Sequence, residues 1–201
     1  MKRIITINRE FGSGGYRIGL NLAERLGITF YDKKLVQRVA EETGFSHDYI
    51  EKNSEQSQDG GRLRFTFSVL GGAHANATNE DLLWAKQAEI IRSIAEQEPC
   101  VIMGRASDYI LHERDDVLNV FVHAPIESRI QRITSDPLYD SDSDIPAEQR
   151  LRDKDRRRAR NYKERTGHDF QQAKNYHICM DSSMLGIDRC VELIEWLYKK
   201  D

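Results

Sequence analysis

The sequence predicts an α/β protein, a parallel sheet in the middle of three layers with helices on both faces. Three observations carry this. Short apolar runs of strand length recur along the chain. Amphipathic helical patterns lie between them. A glycine-rich turn joins the first run to the first helix. Strands that alternate with helices favour parallel pairing, because each connection must cross back over the sheet.

The first run is "RIITI" at 3–7. Ile18, Leu22 and Leu26 then repeat every four residues, the spacing of one helix face. "FYDKKLVQR" follows, at the place of a second short strand and the start of its helix. Leu83, Ile90, Ile91 and Ile94 line one face of 80–98, and "CVIMG" at 100–104 is the next strand. "LNVFVHA" at 118–124 is another, followed by a helix over 125–135 whose core face is Ile126, Ile130 and Ile133. On that pattern Arg129 and Arg132 point away from the core. "YHICMD" at 176–181 is the last strand. Ile187, Cys190, Val191, Ile194, Leu197 and Tyr198 form the stripe of a closing helix. Two stretches break the alternation. One is polar, 52–79, with the apolar island "FTFSVL" inside it; the other is acidic, 134–149. Long loops in compact domains tend to be functional covers.

Composition narrows the function classes. The chain has 201 residues, enough for one domain with a sizeable core. A hydrophobic fraction of 39% with 31% charged residues fits a globular protein. The net charge of −3 makes nucleic acid an unlikely partner. No apolar run approaches the ~20 residues that span a bilayer, and the N-terminus has no signal core. Cys100, Cys179 and Cys190 sit in apolar segments without paired spacing, and read as reduced core thiols of a cytoplasmic protein. The six histidines show no metal-ligand spacing, so no metal site is expected from protein ligands alone. Nothing in the sequence speaks to oligomeric state.

The glycine cluster "REFGSGGYRIG" is the strongest candidate site. A strand–loop–helix with glycines can bind phosphate, because backbone N–H groups and the helix dipole converge there while glycines let the backbone come close. The usual pattern is G-x-x-x-x-G-K-[ST]. Here the lysine is missing. Counting back from "LAERL" puts Gly15 or Tyr16 at the lysine position, Arg17 at the hydroxyl position and the first glycine near Arg9. Two readings stay open at this point. In one, Gly12, Ser13, Gly14, Gly15, Tyr16 and Arg17 surround a phosphate, with Arg17 and also Arg9 supplying the charge. In the other, the stretch is a plain turn with a surface arginine.

Further clusters sit at strand ends. Asp32 and Arg38 bracket the start of the second helix, suited to a base amine or ribose and a monophosphate, or else to an ordinary capped helix start. Gly104 and Arg105 follow the apolar strand "CVIM", where open α/β sheets bind ligands, and Asp108 lies a helical turn further on. Arg129 and Arg132 precede the acidic loop. The arginine-rich run "RLRDKDRRRARNYKER", with Arg152 and Arg158, follows it. A loop flanked by arginines on both sides has the make-up of a lid that closes on phosphates.

In this order the elements resemble the cytidylate kinase-like family over nearly the whole chain. "ITINREFGSGGYRIGLNLAERLG" is similar to its strand, phosphate loop and first helix. "FYDKKLVQR" is similar to D-S-G-x-x-Y-R, "VIMGRASDYI" to G-R-D-x-G, "RLRDKDRRRAR" to R-D-x-x-D-x-x-R, and "ICMDSSMLGIDRCVELI" to the closing D-T-x-x-L-x-x-x-x-V. The resemblance implies a nucleoside monophosphate kinase-like P-loop fold. It implies a core at about 1–38, 86–133 and 159–201, an acceptor-binding insert at about 39–85 and a lid at about 134–158. It also implies transfer of the γ-phosphoryl of ATP, with Mg²⁺, to CMP or dCMP. Asp32, Arg38, Gly104, Arg105 and Asp108 would face the acceptor, and Arg17, Arg129, Arg132, Arg152 and Arg158 the phosphates. The chain departs from the family pattern at the loop lysine and hydroxyl, at Ala106 in place of Asp, and at Lys33 and Lys34. Those departures motivate a second expectation, a nucleotide-binding sensor without catalysis.

Overall fold

The computed structural model describes residues 3–54, 78–139 and 144–200. The island at 65–70 lies outside them. Five parallel strands form one sheet in the order β2-β3-β1-β4-β5. They are β1 (Ile4–Arg9), β2 (Thr29–Tyr31), β3 (Cys100–Met103), β4 (Val117–His123) and β5 (Ile178–Asp181). The three inner strands, β3, β1 and β4, are the longest apolar runs of the sequence. Each is covered on both faces, which is why they read as continuous hydrophobic stretches rather than alternating ones. The edge strands β2 and β5 are less buried.

Alternate residues of the strands feed two cores. On one face Ile5, Ile7, Val101, Met103, Val120 and Val122 pack under α1 (Gly15–Leu26) and α9 (Ile187–Lys199). On the other, Ile4, Cys100, Ile102 and Val117 pack under α2 (Lys33–Thr43), α3 (His47–Ser54) and α4 (Asn79–Gln97). A third cluster extends that second face. Phe121 of β4 meets Tyr162 of α7 (Ala147–Thr166), with Phe170 and Tyr176 beside them. The three-layer architecture expected from the sequence is therefore present. Two short helices, α5 (Ser107–Ile110) and α8 (Ser182–Leu185), follow β3 and β5. The remaining helix, α6 (Ile126–Ser135), follows β4.

Helix boundaries have local causes. Gly27 ends α1 in the left-handed region at φ 67°, its N–H reaching back to the carbonyls of Ala23 and Glu24. A capping box starts α4, in which Thr78 and Asp81 exchange side-chain and backbone hydrogen bonds. The helix α7 is unbroken from 147 to 166, so residue 158 falls inside it; 38 and 85 likewise fall inside α2 and α4.

Two expectations need correction. Arg129 does not point away from the core but is buried, at 8% exposure, while Ile126 and Ile130 are only partly covered. Of the three cysteines, Cys100 and Cys190 are buried but Cys179, on the edge strand β5, is exposed. All three are free thiols, and burial pushes the Cys100 thiol up to about 12.

Candidate functional site

The loop between β1 and α1 runs from Glu10 to Gly14. Gly12 and Gly14 hold φ of 76° and 83°, which a side chain would strain. Gly14 is the N-cap of α1, and no side chain caps the helix there. The first amides of a helix have no intrahelical acceptor, and no acidic residue occupies the first turn of α1. The loop therefore presents unsatisfied donors and the positive end of the helix dipole to one concavity, the physical basis of anion binding. The Ser13 hydroxyl is buried in the same loop with no hydrogen-bond partner among the described residues.

The helix start fixes the register. With Gly14 as the last loop residue, the eight-residue pattern puts Arg9 at the first glycine, Gly15 at the lysine and Tyr16 at the hydroxyl. Arg17 lies one residue beyond, which corrects its expected place at the hydroxyl position. The Tyr16 ring rests edge-on against Phe30 of β2, with centroids 5.5 Å apart. Arg17 is half-exposed and forks onto Asp136, with Nε to Oδ2 at 2.8 Å and Nη2 to Oδ1 at 2.6 Å. Those hydrogen bonds hold the Asp136 carboxyl below its usual range and raise Arg17 further.

One face of α6 holds the loop by its carbonyls. Arg129 Nη1 donates to Phe11 O at 3.3 Å and to Asp155 Oδ2 at 2.5 Å. Asp155 Oδ1 in turn accepts from Phe11 N at 2.7 Å, so one ion pair grips both polar groups of the same peptide residue. Arg132 Nη1 donates to Gly12 O at 2.7 Å. Glu10 lies 3.5 Å from Arg129 Nε and accepts from Ala124 N at the end of β4. The Phe11 ring carries the Lys154 ammonium 4.1 Å from its centroid and meets Tyr139 edge-on. With the Phe11 and Gly12 carbonyls tied toward α6 and the Phe11 amide held by Asp155 of α7, the loop is preorganised around its remaining amides.

The carboxyl ends of β1 and β3 meet beside this loop. Gly104 donates its N–H to Ile7 O, then Gly104, Arg105 and Ala106 take φ of 65°, 58° and 51° in succession. Two consecutive non-glycine residues in the left-handed region cost about 1–2 kcal/mol each, a strain that clusters at ligand sites. Arg105 is buried and its Nη1 reaches Gln87 Oε1 at 3.4 Å. A small cavity is lined here by Asn8, Arg9, Gly104, Arg105, Arg158 and Tyr162, among others. Three guanidinium-bearing residues, from the end of β1, the turn after β3 and α7, thus share one recess at the carboxyl edge of the sheet, where α/β proteins place ligands. Arg158 Nη1 also donates to Arg9 O at 3.3 Å.

Asp108 lies beneath that recess rather than facing it. It is 3% exposed, accepting from Asn8 Nδ2 at 2.9 Å and Tyr162 OH at 2.6 Å. Burial raises its carboxyl above the ordinary value and raises the Tyr162 and Tyr176 hydroxyls as well. The folded state therefore binds more protons than the unfolded chain in the window above ~4, where a free aspartate ionises. Asp108 contributes most below that window, and its contribution declines as pH rises through the folded value. We expect Asp108→Asn to flatten this decline, measured as urea midpoints across the pH range for both proteins. A parallel pH dependence in the two would show that Asp108 does not titrate in this way.

The remaining sequence candidates lie elsewhere. Asp32 is at the N-cap position of α2 without a side-chain capping bond, beside edge strand β2. Arg38 pairs with Glu42 at 3.5 Å on α2. Arg152 is 60% exposed and pairs with Glu148 one turn away on α7. The sequence reading missed Asp155, Asp136, Glu10, Asn8 and Tyr162. A signal existed for one group: Arg129, Arg132 and Asp136 follow the i, i+3, i+7 spacing of one helix face.

The triphosphate of a nucleotide fits this donor set, but a protein-held Mg²⁺ does not. The small hydroxyl that would ligate the ion is replaced by Tyr16, whose ring faces Phe30, and Arg17 beside it is a cation. Glu10 and Asp155 are committed to Arg129. Among the described residues no group of three or more His, Cys, Asp or Glu is arranged to hold a metal. Among them, too, no helix is long and apolar enough to cross a membrane.

Known proteins place this geometry in context. An uncharacterized protein from Eubacterium ventriosum ATCC 27560 superposes with a TM-score of 0.72 at 21% identity, covering 100% of both chains. Shikimate kinase from Acinetobacter baumannii, in complex with shikimate, gives 0.54 at 17% identity, over 98% of this chain and 93% of that one. Shikimate kinase from Bacteroides thetaiotaomicron gives 0.56 at 14%, over 98% of each. At these identities the likeness shows a shared fold. No curated protein matches the chain in sequence. The model of the cytidylate kinase-like family matches residues 4–184, from the first residue of β1 into α8, and the chain belongs to that family.

Proposed function

We propose that this protein is a phosphotransferase that moves the terminal phosphoryl group of ATP to a small acceptor, with a nucleoside monophosphate of the CMP or dCMP type as the first candidate. The observation that carries the reading is the convergence of Arg9, Arg105 and Arg158 on one recess beside the glycine loop. Preorganised cations at the place where phosphate charge moves are what phosphoryl transfer needs. In this reading Gly12, Ser13, Gly14, Gly15 and Tyr16 surround the nucleotide phosphates. Arg129, Arg132 and Asp155 keep the loop in shape. The segment 39–85, with Asp32 and Arg38, recognises the acceptor, and 134–158 covers it. No step is assigned to protein-held Mg²⁺, and the reaction is placed in the cytoplasm.

The test is a coupled ADP-release screen. Nucleoside monophosphates form the main panel, and shikimate is included because structural neighbours are kinases of that hydroxy acid. Turnover above background with one acceptor is the expected result. A second reading, a nucleotide-binding sensor without catalysis, is favoured by glycine at the lysine position. Saturable ATP binding with no turnover on any acceptor would select it and overturn the first.

A further inference from the structure

The loop has not simply lost a lysine. An ideal Cβ built on Gly15 would lie 2.7 Å from Arg9 Cβ and 3.1 Å from Arg9 Cγ, with Val122 Cβ at 3.4 Å. Real Cβ atoms do not approach other atoms that closely. Residues 9 and 15 therefore compete for one space at the loop mouth, and only one of them can carry a side chain. In the usual pattern the first position is glycine and the seventh is lysine. In this chain the two are exchanged: the first is arginine and the seventh is glycine.

We propose that Arg9 does the work of the loop lysine, delivering the phosphate-binding cation from the end of β1 instead of from the first turn of α1. This rests on the reading of the loop as a nucleotide site. Several features support it. Arg9 is 91% covered, so its stem is held, and it lines the recess shared with Arg105 and Arg158. Gly15 is buried, starts α1 and leaves the space that the Arg9 stem fills. Arginine is longer than lysine and can contact phosphate through two nitrogens, which suits a donor that starts on the opposite wall of the loop. Arg17 is half-exposed, forks onto Asp136 and lies one residue beyond the eight-residue pattern. The exchange preserves one cation per loop while inverting the side from which it enters.

The test is ATP binding by calorimetry, with thermal melts on each variant. Wild-type chain is measured first; if it binds no ATP, the nucleotide-site reading itself falls, before any variant is made. Given wild-type binding, Arg9→Met is expected to weaken ATP by at least about tenfold with the fold retained. Gly15→Lys alone is expected to melt early, because the new side chain meets Arg9. The double variant Arg9→Gly with Gly15→Lys restores the usual arrangement and is expected to recover both the melt and binding to within about threefold of wild type. Wild-type affinity in a folded Arg9→Met would overturn the proposal, as would a loss confined to Arg17→Ala. If Arg9→Met does not fold, the double variant decides alone. Folded and binding supports the exchange; unfolded, or folded without binding, overturns it.

Discussion

Replacing Arg129 by alanine is expected to lower the free energy of unfolding by about 3 kcal/mol, near the low end for breaking a buried ion pair. Burial explains why a single surface-seeming arginine matters so much. Arg129 is 8% exposed and lies against Asp155, Glu10 and the Phe11 carbonyl. Its removal leaves two carboxylates and a carbonyl without their cation in a partly dry site. Arg129→Lys keeps the charge but not the planar fork that spans Asp155 and Phe11, so it falls between the two. The measurement is a urea midpoint at constant m-value. A shift below about 0.5 kcal/mol, the size of an ordinary surface change, would show that the clamp is redundant.

The second large effect concerns activity. Under the proposed reaction, Arg158→Ala is expected to cut turnover by about 10²–10³, the usual loss when one preorganised donor is removed from a transferring group. Stability is expected to change by about 1 kcal/mol, the usual net contribution of a hydrogen bond such as that from Arg158 to Arg9 O. The separation of the two effects distinguishes Arg158 from Arg129. Arg158→Lys should regain part of the rate, since ammonium supplies charge without the second contact. Full turnover in Arg158→Ala would remove this residue from the chemistry.

The sheet was legible in the sequence because burial on both faces writes itself as continuous apolar runs. The glycine loop was legible because its glycines are required by φ and by close packing. The supports of the loop were not. Around 126–133 the isoleucines suggest the core face, yet the deciding contacts are polar: Arg129 and Arg132 donating to backbone carbonyls. Apolar periodicity is blind to a helix face whose task is to hold hydrogen-bond acceptors. Asp108 looked like a substrate contact because of its place after β3, but Asn8 and Tyr162, distant in sequence, enclose it. Nor did anything mark Arg105 and Ala106 as left-handed, since neither residue type favours that conformation.

The clamp on Phe11 and Gly12 has a consequence for the order of folding. The loop is among the first residues of the chain, but its fastenings lie 118, 120 and 144 positions away. Contacts of such long range close late, because the intervening chain must first be organised. A growing chain that ends before α7 contains β1, α1 and every glycine of the loop, yet lacks Asp155. Competence to hold an anion is then one of the last properties the protein acquires. Under the proposed nucleotide reading, ATP added during refolding is expected to report completion, stabilising the finished molecule while passing over its half-built precursors.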